Sequence, residues 1–349
     1  MAYTTIDKPS DYFNTVLYTG TENSNTISVG FEPDFTWIKR RNSARDHQLF
    51  NSTTGANTVL SSNLTSAEEG TGAGGWTPNS DGFVVHQHVK TNSNGDTYVG
   101  WNWKAETSFT NDASSTSVGS IDSAGSVNTD AGISVITFTG TGANATVAHG
   151  LGVIPKFFVI KSRSNANGWI VYHGSLGAGK AISWNLADAA FATGSRWNST
   201  EPTSTVFSLG SAADVNRSSG THVCYAFAEK QGYSKFGTYT GNANADGPFV
   251  YTGFKPAFFI YKNTNTNGEE WKILDNKRDP FNRGSQRNLN AHTNTAESDD
   301  ANSIGEFVSN GVKIRSAHNN INKSGSPFIY IAFAENPFVT STGVPATAR

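Results

Sequence analysis

The chain holds one cysteine, Cys224, in 349 residues. No intrachain disulfide framework is possible, and synthesis in a reducing compartment is indicated. Cys224 lies in the apolar run HVCYAF, so it reads as a buried structural thiol. Charge is also scarce, at 15% against roughly 25% for an average globular protein. The net charge is −2 and no basic stripe is present. The densest cationic cluster, Lys39, Arg40, Arg41 and Arg45, is partly offset by Asp46, which argues against nucleic acid as the main partner. No apolar run approaches the roughly 20 residues of a membrane helix, so no membrane span is expected. The opening MAYTTIDKPSDYF has neither a basic n-region nor an apolar h-region and does not read as a signal peptide. Gly, Ser, Thr and Asn take the place of charge, while aromatics reach 12%, too many for a disordered chain.

What is present is a threefold internal repeat. Its first block reads GFEPDFTWIK, GVIPKFFVIK and GFKPAFFIYK, beginning at Gly30, Gly152 and Gly253. The second reads YVGWNWKA, HVCYAFAE and FIYIAFAE, beginning at Tyr98, His222 and Phe328. The unit is about a hundred residues, a domain-sized length. Within each copy, short apolar runs alternate with Gly/Asn/Asp turns, the pattern of an antiparallel sandwich. In the closing block Val99, Trp101 and Trp103 alternate, as do Val223, Tyr225 and Phe227, then Ile329, Ile331 and Phe333, which places them over a core. The fold expected is all-β: three tandem antiparallel β-sandwich domains, jelly-roll or lectin-like, with less than about a tenth helix. Only residues 187–195 (ADAAFATGS) suggest a helical turn or two.

Repeat 1 spans 1–105. The Ser/Thr/Gly-rich stretch 106–130 has no sustained apolar period and reads as a linker. Repeat 2 spans 131–235 and repeat 3 spans 236–349, ending in an extended tail. The short junction between repeats 2 and 3 predicts a rigid pair, with repeat 1 more independent.

Several motifs come close to chemistry without reaching it. Gly70, Gly72 and Gly75 form GxGxxG, but no strand precedes and Pro78 breaks any following helix. HGSLGAGKA, from His173, resembles a P-loop, yet Ala181 stands where a magnesium-binding Ser or Thr belongs. NANADG, from Asn242, starts like a calcium loop but lacks the twelfth-position Glu. His86 and His88 lie two apart on an expected strand and so point one way, without a visible third metal ligand. Asn51, His173 and Asp275 occupy aligned positions, and a catalytic position would not vary so freely. The acids Glu269, Glu270, Asp275, Asp279, Asp299 and Asp300 sit near turns and read as solvated. Trp76 and Trp197 lie in loops and are candidates to stack on a sugar or anchor a partner. The candidate surface or ligand contacts are therefore Trp76, Trp197, His86 and His88. No catalytic, cofactor-binding or metal residue is assigned, no cofactor is expected, and the chain reads as a non-enzyme.

The opening MAYTTIDKPSDYF, GFEPDFTWIKRR with YVGWNWKA, and above all GYSKFGTYTGNANADGPFVYTGFKPAFFIYK resemble a recurrent module of virion structural proteins from marine tailed bacteriophages. The resemblance covers nearly the whole chain. The ending IAFAENPFVTSTGVPATAR is similar to the family's ending, so a complete gene product is expected. Asn102, between two tryptophans, departs from the apolar residue relatives carry there and reads as a local surface change. The resemblance implies a particle component, located in the virion after assembly in the bacterial cytoplasm. The favoured role is a tail-associated fibre, spike or receptor-binding component that contacts host surface glycans by multivalent binding. Its partners would be other virion proteins and further copies of itself, a trimer being the expectation for a fibre. The alternatives are a capsid decoration or head-fibre protein, and a polysaccharide depolymerase.

Overall fold

The computed structural model describes residues 2–72 and 75–345. The first repeat runs β1 (Phe13–Thr19), β2 (Asn25–Ser28), β3 (Phe35–Arg40), β4 (Gln48–Asn51), β5 (Thr58–Val59), β6 (Glu69–Gly70), β7 (Trp76–Asn79), β8 (Gly82–Val85) and β9 (Thr97–Trp103). An arm follows: β10 (Thr107–Asn111), the one-turn helix α1 (Ala113–Thr116) and β11 (Ser123–Asn128). The second repeat runs β12 (Ile133–Thr139), β13 (Ala145–Ala148), β14 (Phe157–Ser162), β15 (Trp169–His173), β16 (Lys180–Ser183), β17 (Phe191–Ala192), β18 (Val206–Leu209), α2 (Ala213–Asn216) and β19 (Thr221–Phe227). The third runs β20 (Ser234–Thr240), β21 (Phe249–Tyr251), β22 (Phe254–Asn263), β23 (Lys272–Asp275), β24 (Gln286–Asn290), β25 (Ser298–Asp300), β26 (Gly305–Val308), β27 (Gly311–Ile314), α3 (Asn319–Asn322) and β28 (Pro327–Pro337).

The protein is all-β, with 43% strand and 5% helix. Residues 187–195 form no helix; they contain β17 instead. Each repeat builds a large sheet in the same order: opening strand, closing strand, Gly-x-x-Pro strand, aromatic strand. These are β1-β9-β3-β4, β12-β19-β14-β15 and β20-β28-β22-β23. A small sheet accompanies each: β2-β8-β7, β13-β18 and β21-β27-β26. The repeated glycines follow from this plan. Gly30, Gly152 and Gly253 all have positive φ, at 95°, 70° and 80°, where any side chain is strained. Gly20, Gly140 and Gly241 sit so close to another backbone that a Cβ would meet a carbonyl oxygen at 2.1, 2.4 and 2.2 Å.

The large sheets are buried on both faces. The outer face of each packs on its own small sheet, giving three separate cores around Phe83, Phe207 and Val312. The inner faces of all three meet in one further cluster. At its centre the equivalent residues Trp103, Phe227 and Phe333 touch one another pairwise, with ring centroids 6.2, 5.6 and 5.6 Å apart. Such a triangle marks a pseudo-threefold axis. A cavity of about 40 Å³ remains beside it, lined by apolar side chains such as Phe35, Trp37, Phe157 and Ile260. The repeats are thus not self-contained sandwiches in tandem, and repeat 1 is not set apart. Burying both faces of each large sheet requires all three repeats.

The arm corrects the linker reading of 106–130. β11 pairs with β12 over Ser123↔Phe138 to Asn128↔Ile133, and β10 pairs with β11, extending the second large sheet. Cys224 is buried, and burial raises its thiol pKa well above the ordinary value.

Candidate binding surface

The three seams between repeats use equivalent residues in a closed ring. The position before or at the aromatic strand holds His47, Trp169 and Trp271. Trp169 Nε1 donates to Ser61 O and Leu64 O of repeat 1, at 3.0 and 3.1 Å. Trp271 Nε1 donates to Ser183 O of repeat 2 at 2.9 Å. His47 Nδ1 accepts from Trp37 Nε1, so Nε2 carries the proton and donates to Asn290 O and Thr293 O of repeat 3, at 3.0 and 3.1 Å. Asn51, His173 and Asp275 reach the other way. Asn51 Nδ2 donates to the Tyr225 hydroxyl, His173 Nε2 to Tyr330 O, and Asp275 Oδ2 accepts from Trp101 Nε1. Each contact links two different surfaces, and three rotations close the ring, which is heterologous cyclic geometry within one chain. These residues are therefore committed to assembly.

The repeated lysines Lys39, Lys161 and Lys262 are buried at the same seams. Lys161 Nζ donates to Thr65 O, Ser162 O and Asn165 O; Lys262 Nζ donates to Ala187 O, Asn263 O and Glu269 O. Burial pulls both amines down to about 8. Lys39 donates to Arg40 O, and burial pulls its amine down to about 7.

Of the four candidate contacts, Trp76 and Trp197 are buried and His86 and His88 are half-buried. Trp76 opens β7 and is fully buried, stacked on Phe50 at 5.9 Å. Trp197 is fully buried too; its Nε1 donates to Lys180 O at 3.1 Å and its ring packs edge-on to Phe158. An indole's large apolar area is best removed from water, and both loops fold inward to do so. His86 and His88 lie beyond the end of β8, not on it. His86 contacts Ser24 and Thr77 hydroxyls, and His88 Nδ1 accepts the Lys90 N–H. Among the described residues no group of three or more His, Cys, Asp or Glu could hold a metal ion. Asn102 is buried, not a surface change: Oδ1 accepts from Thr36 and Nδ2 donates to Asn14 O and Gly100 O. In the P-loop-like run Lys180 begins strand β16 where a P-loop continues as helix. In NANADG the Asp246 carboxylate is taken by Lys313 Nζ at 2.8 Å and Arg315 at 3.3 Å. The Lys313 hydrogen bond and charge hold its pKa below the ordinary carboxylate value. Ala73 and Gly74, in the GxGxxG stretch, lie outside the described residues.

The outer faces of the small sheets differ between copies. On β21 the side chains alternate: Val250 is buried, whereas Phe249 and Tyr251 are 45% and 50% exposed. The same positions hold Thr26 and Ser28 in repeat 1, and Thr146 and Ala148 in repeat 2. The register pairs Phe249 with Lys313 and Tyr251 with Gly311, so both rings stand on the face that carries Lys313. A Cβ on Gly311 would meet the Phe249 ring at 2.9 Å, so this glycine lets the ring lie flat across β27. Tyr3 adds a third ring; its hydroxyl donates to Gly253 O at 2.7 Å and lies 3.4 Å from the Tyr251 hydroxyl. One connected charge cluster borders the patch: Asp246 pairs with Lys313 and Arg315, and Arg315 pairs in turn with Glu306 at 2.7 Å. The alternation in PFVYTG was the sequence signal for Phe249 and Tyr251. Elsewhere a polar groove of about 450 Å³ opens beside the arm, lined by Thr110, Asn111, Asp122, Thr137, Arg163 and Thr221. Its Arg163 is already paired to Glu68 at 2.7 Å across the first seam.

The class these features define is an all-β protein of three like units closed around one core, with copy-specific outer faces. Residues 8–337 match the family described as "Domain of unknown function (DUF7483)", and the chain belongs to it. The match runs through all three repeats. No curated protein and no solved structure matches the chain.

Proposed function

We propose that the protein is a non-catalytic component of a tailed-phage particle, tail-associated, that contacts host surface glycans through the outer face of repeat 3. The observation that carries this reading is the pair Phe249 and Tyr251, exposed side by side on β21 next to a charged cluster. Aromatic faces with polar neighbours stack on the apolar faces of sugars, and a rigid strand presents them at little entropic cost. The resemblance to phage virion modules supports the particle setting. The use is lectin-like: one weak contact per chain, multiplied by the copies in a particle. The ring closed within one chain leaves association with other copies to the outer surfaces.

The test is binding of the purified protein to host lipopolysaccharide and capsular polysaccharide. Saturable binding is expected, lost in Phe249→Ala/Tyr251→Ala with folding intact. Equal binding by that variant contradicts the assignment, and reducing-sugar release would make the protein a depolymerase. A second reading, capsid decoration, is favoured by one feature: three like units about one axis fit a threefold-symmetric attachment point. Immunogold label on the head would select it and sink the tail reading.

A further inference from the structure

We infer that the open edge of repeat 1, formed by β1 and β2, is an acceptor for an extended arm of another polypeptide. The equivalent edge of repeat 2 is filled by this chain's own arm. There β11 adds antiparallel to β12, and Ile121 bridges Val147 in parallel on β13. Ser120 N and Ile121 N both donate to Thr146 O, at 2.8 and 3.1 Å, while Thr146 N donates to Ser120 Oγ at 2.8 Å. Ile121 is buried in the second repeat's outer core.

Repeat 1 presents the same acceptor, and among the described residues no strand pairs with it, although Thr15 is buried and Thr19 O already accepts from Asn25 Nδ2 at 3.0 Å. β1 and β2 are the outermost strands of their sheets. Thr26 occupies the place of Thr146: it precedes the inward pair Ile27↔Phe83 as Thr146 precedes Val147↔Phe207. The bonds Val29 N to Asp81 O and His149 N to Thr205 O fix the ladder phase. In both repeats the threonine's N–H and C=O therefore face away from the sheet. Thr26 is exposed, and Leu17, at the place of Thr137, is 40% exposed on β1. Neither strand (FNTVLYT, NTIS) carries a lysine, a proline or any charge, the usual guards of a free edge. Repeat 3 is different. Its β20 carries Lys235, and Tyr330 Oη donates to Tyr251 O, at 3.4 Å, on the β21 side.

The occupant's chemistry follows from the arm that fits repeat 2. Gly119, at φ 77°, would bring a Cβ within 3.0 Å of Thr146 O, so a glycine is needed before the bridging serine. Gly125 lies so near Val135 O, 1.9 Å from an added Cβ, that a glycine is needed at that place in the paired strand. The partner is thus an extended segment reading Gly, Ser or Thr, an aliphatic residue, then a second Gly four residues on, joining by strand addition.

The probe is a synthetic peptide of residues 117–128 added at millimolar concentration to the full chain. Amide hydrogen exchange of residues 16–19 and 25–28 should slow about tenfold when the peptide stands near ten times its Kd. A peptide carrying Gly119→Val and Ile121→Asp should leave exchange unchanged, and because both changes are in the peptide the protein's folding is untouched. No slowing at several millimolar peptide, equal slowing by the altered peptide, or slowing at β20 and β21 instead, would overturn the proposal. Glycan binding by Phe249 and Tyr251 is a separate readout and stands or falls independently.

Discussion

Asn51, His173 and Asp275 hold one position in three copies and do one job by three chemistries. Each crosses its seam to the closing strand of the next repeat. Asn51 meets Tyr225 through an amide-to-phenol bond. Asp275 meets the indole N–H of Trp101, the equivalent residue, and also the Arg278 guanidinium at 2.5 Å. The third equivalent is Ile331, which offers no polar atom, so His173 reaches a backbone carbonyl, Tyr330 O, at 3.2 Å. The ring geometry is thus retained while its chemistry drifts pairwise, each residue matched to what its neighbour offers. Variation at an aligned position argued against catalysis; its positive meaning is a set of three interfaces.

Of the three seams, the one at Asp275 should be the most sensitive to substitution. Arg278 is fully buried, and Asp275→Ala removes its inner carboxylate and the acceptor for Trp101. A loss of about 3–5 kcal/mol is expected in urea unfolding, because a buried charge is left under-compensated. Acid should act next, through His173. Burial pulls its pKa down to about 4, and Nδ1 already accepts the Ser175 N–H, so a second proton has no acceptor. The folded pKa lies below the unfolded value of 6.5, so the unfolded chain binds more protons between them. Stability should therefore fall as pH drops from about 6.5 to about 4, by on the order of 3 kcal/mol from this residue. The urea midpoint against pH reads this, and His173→Gln should remove this share of the acid limb, leaving that of His47, His149, His222 and His292, whose pKa values burial also lowers.

Smaller effects sharpen the comparison. Lys161→Met leaves three carbonyls without their donor and should cost about 1–3 kcal/mol. Lys39→Met, at the equivalent position with one carbonyl bond, should cost less. Equal costs would mean that the carbonyl cage contributes nothing. Asn51→Ala should cost about 1–2 kcal/mol by thermal melt, since its bond to the Tyr225 phenol joins two neutral groups.

Much of this was legible in the sequence. The repeat, its strands and its all-β character followed from Gly, Pro and Lys at fixed offsets and from period-two alternation. The shared core was signalled less plainly, by strands apolar at consecutive positions. Phe157–Ser162 (FFVIKS) is buried at every residue, as a strand covered on both faces must be. Reading only one face of the closing strands predicted three separate cores. The arm was missed because β11 (SAGSVN) is selected for smallness: Gly125 fits against the β12 backbone, and no apolar period results. Trp76 and Trp197 lie among turn residues, and no local pattern tells a loop tryptophan that folds inward from one that faces solvent. Phe249 and Tyr251 were visible as alternation but did not stand out among 22 phenylalanines and 11 tyrosines.

A core shared around Trp103, Phe227 and Phe333 should make the three repeats one cooperative body. Differential scanning calorimetry of the whole chain tests it most directly. One transition with equal calorimetric and van't Hoff enthalpies is predicted, and Trp103→Ala should shift it as a whole. Two or three resolved transitions, with Trp103→Ala moving only one of them, would contradict a shared core.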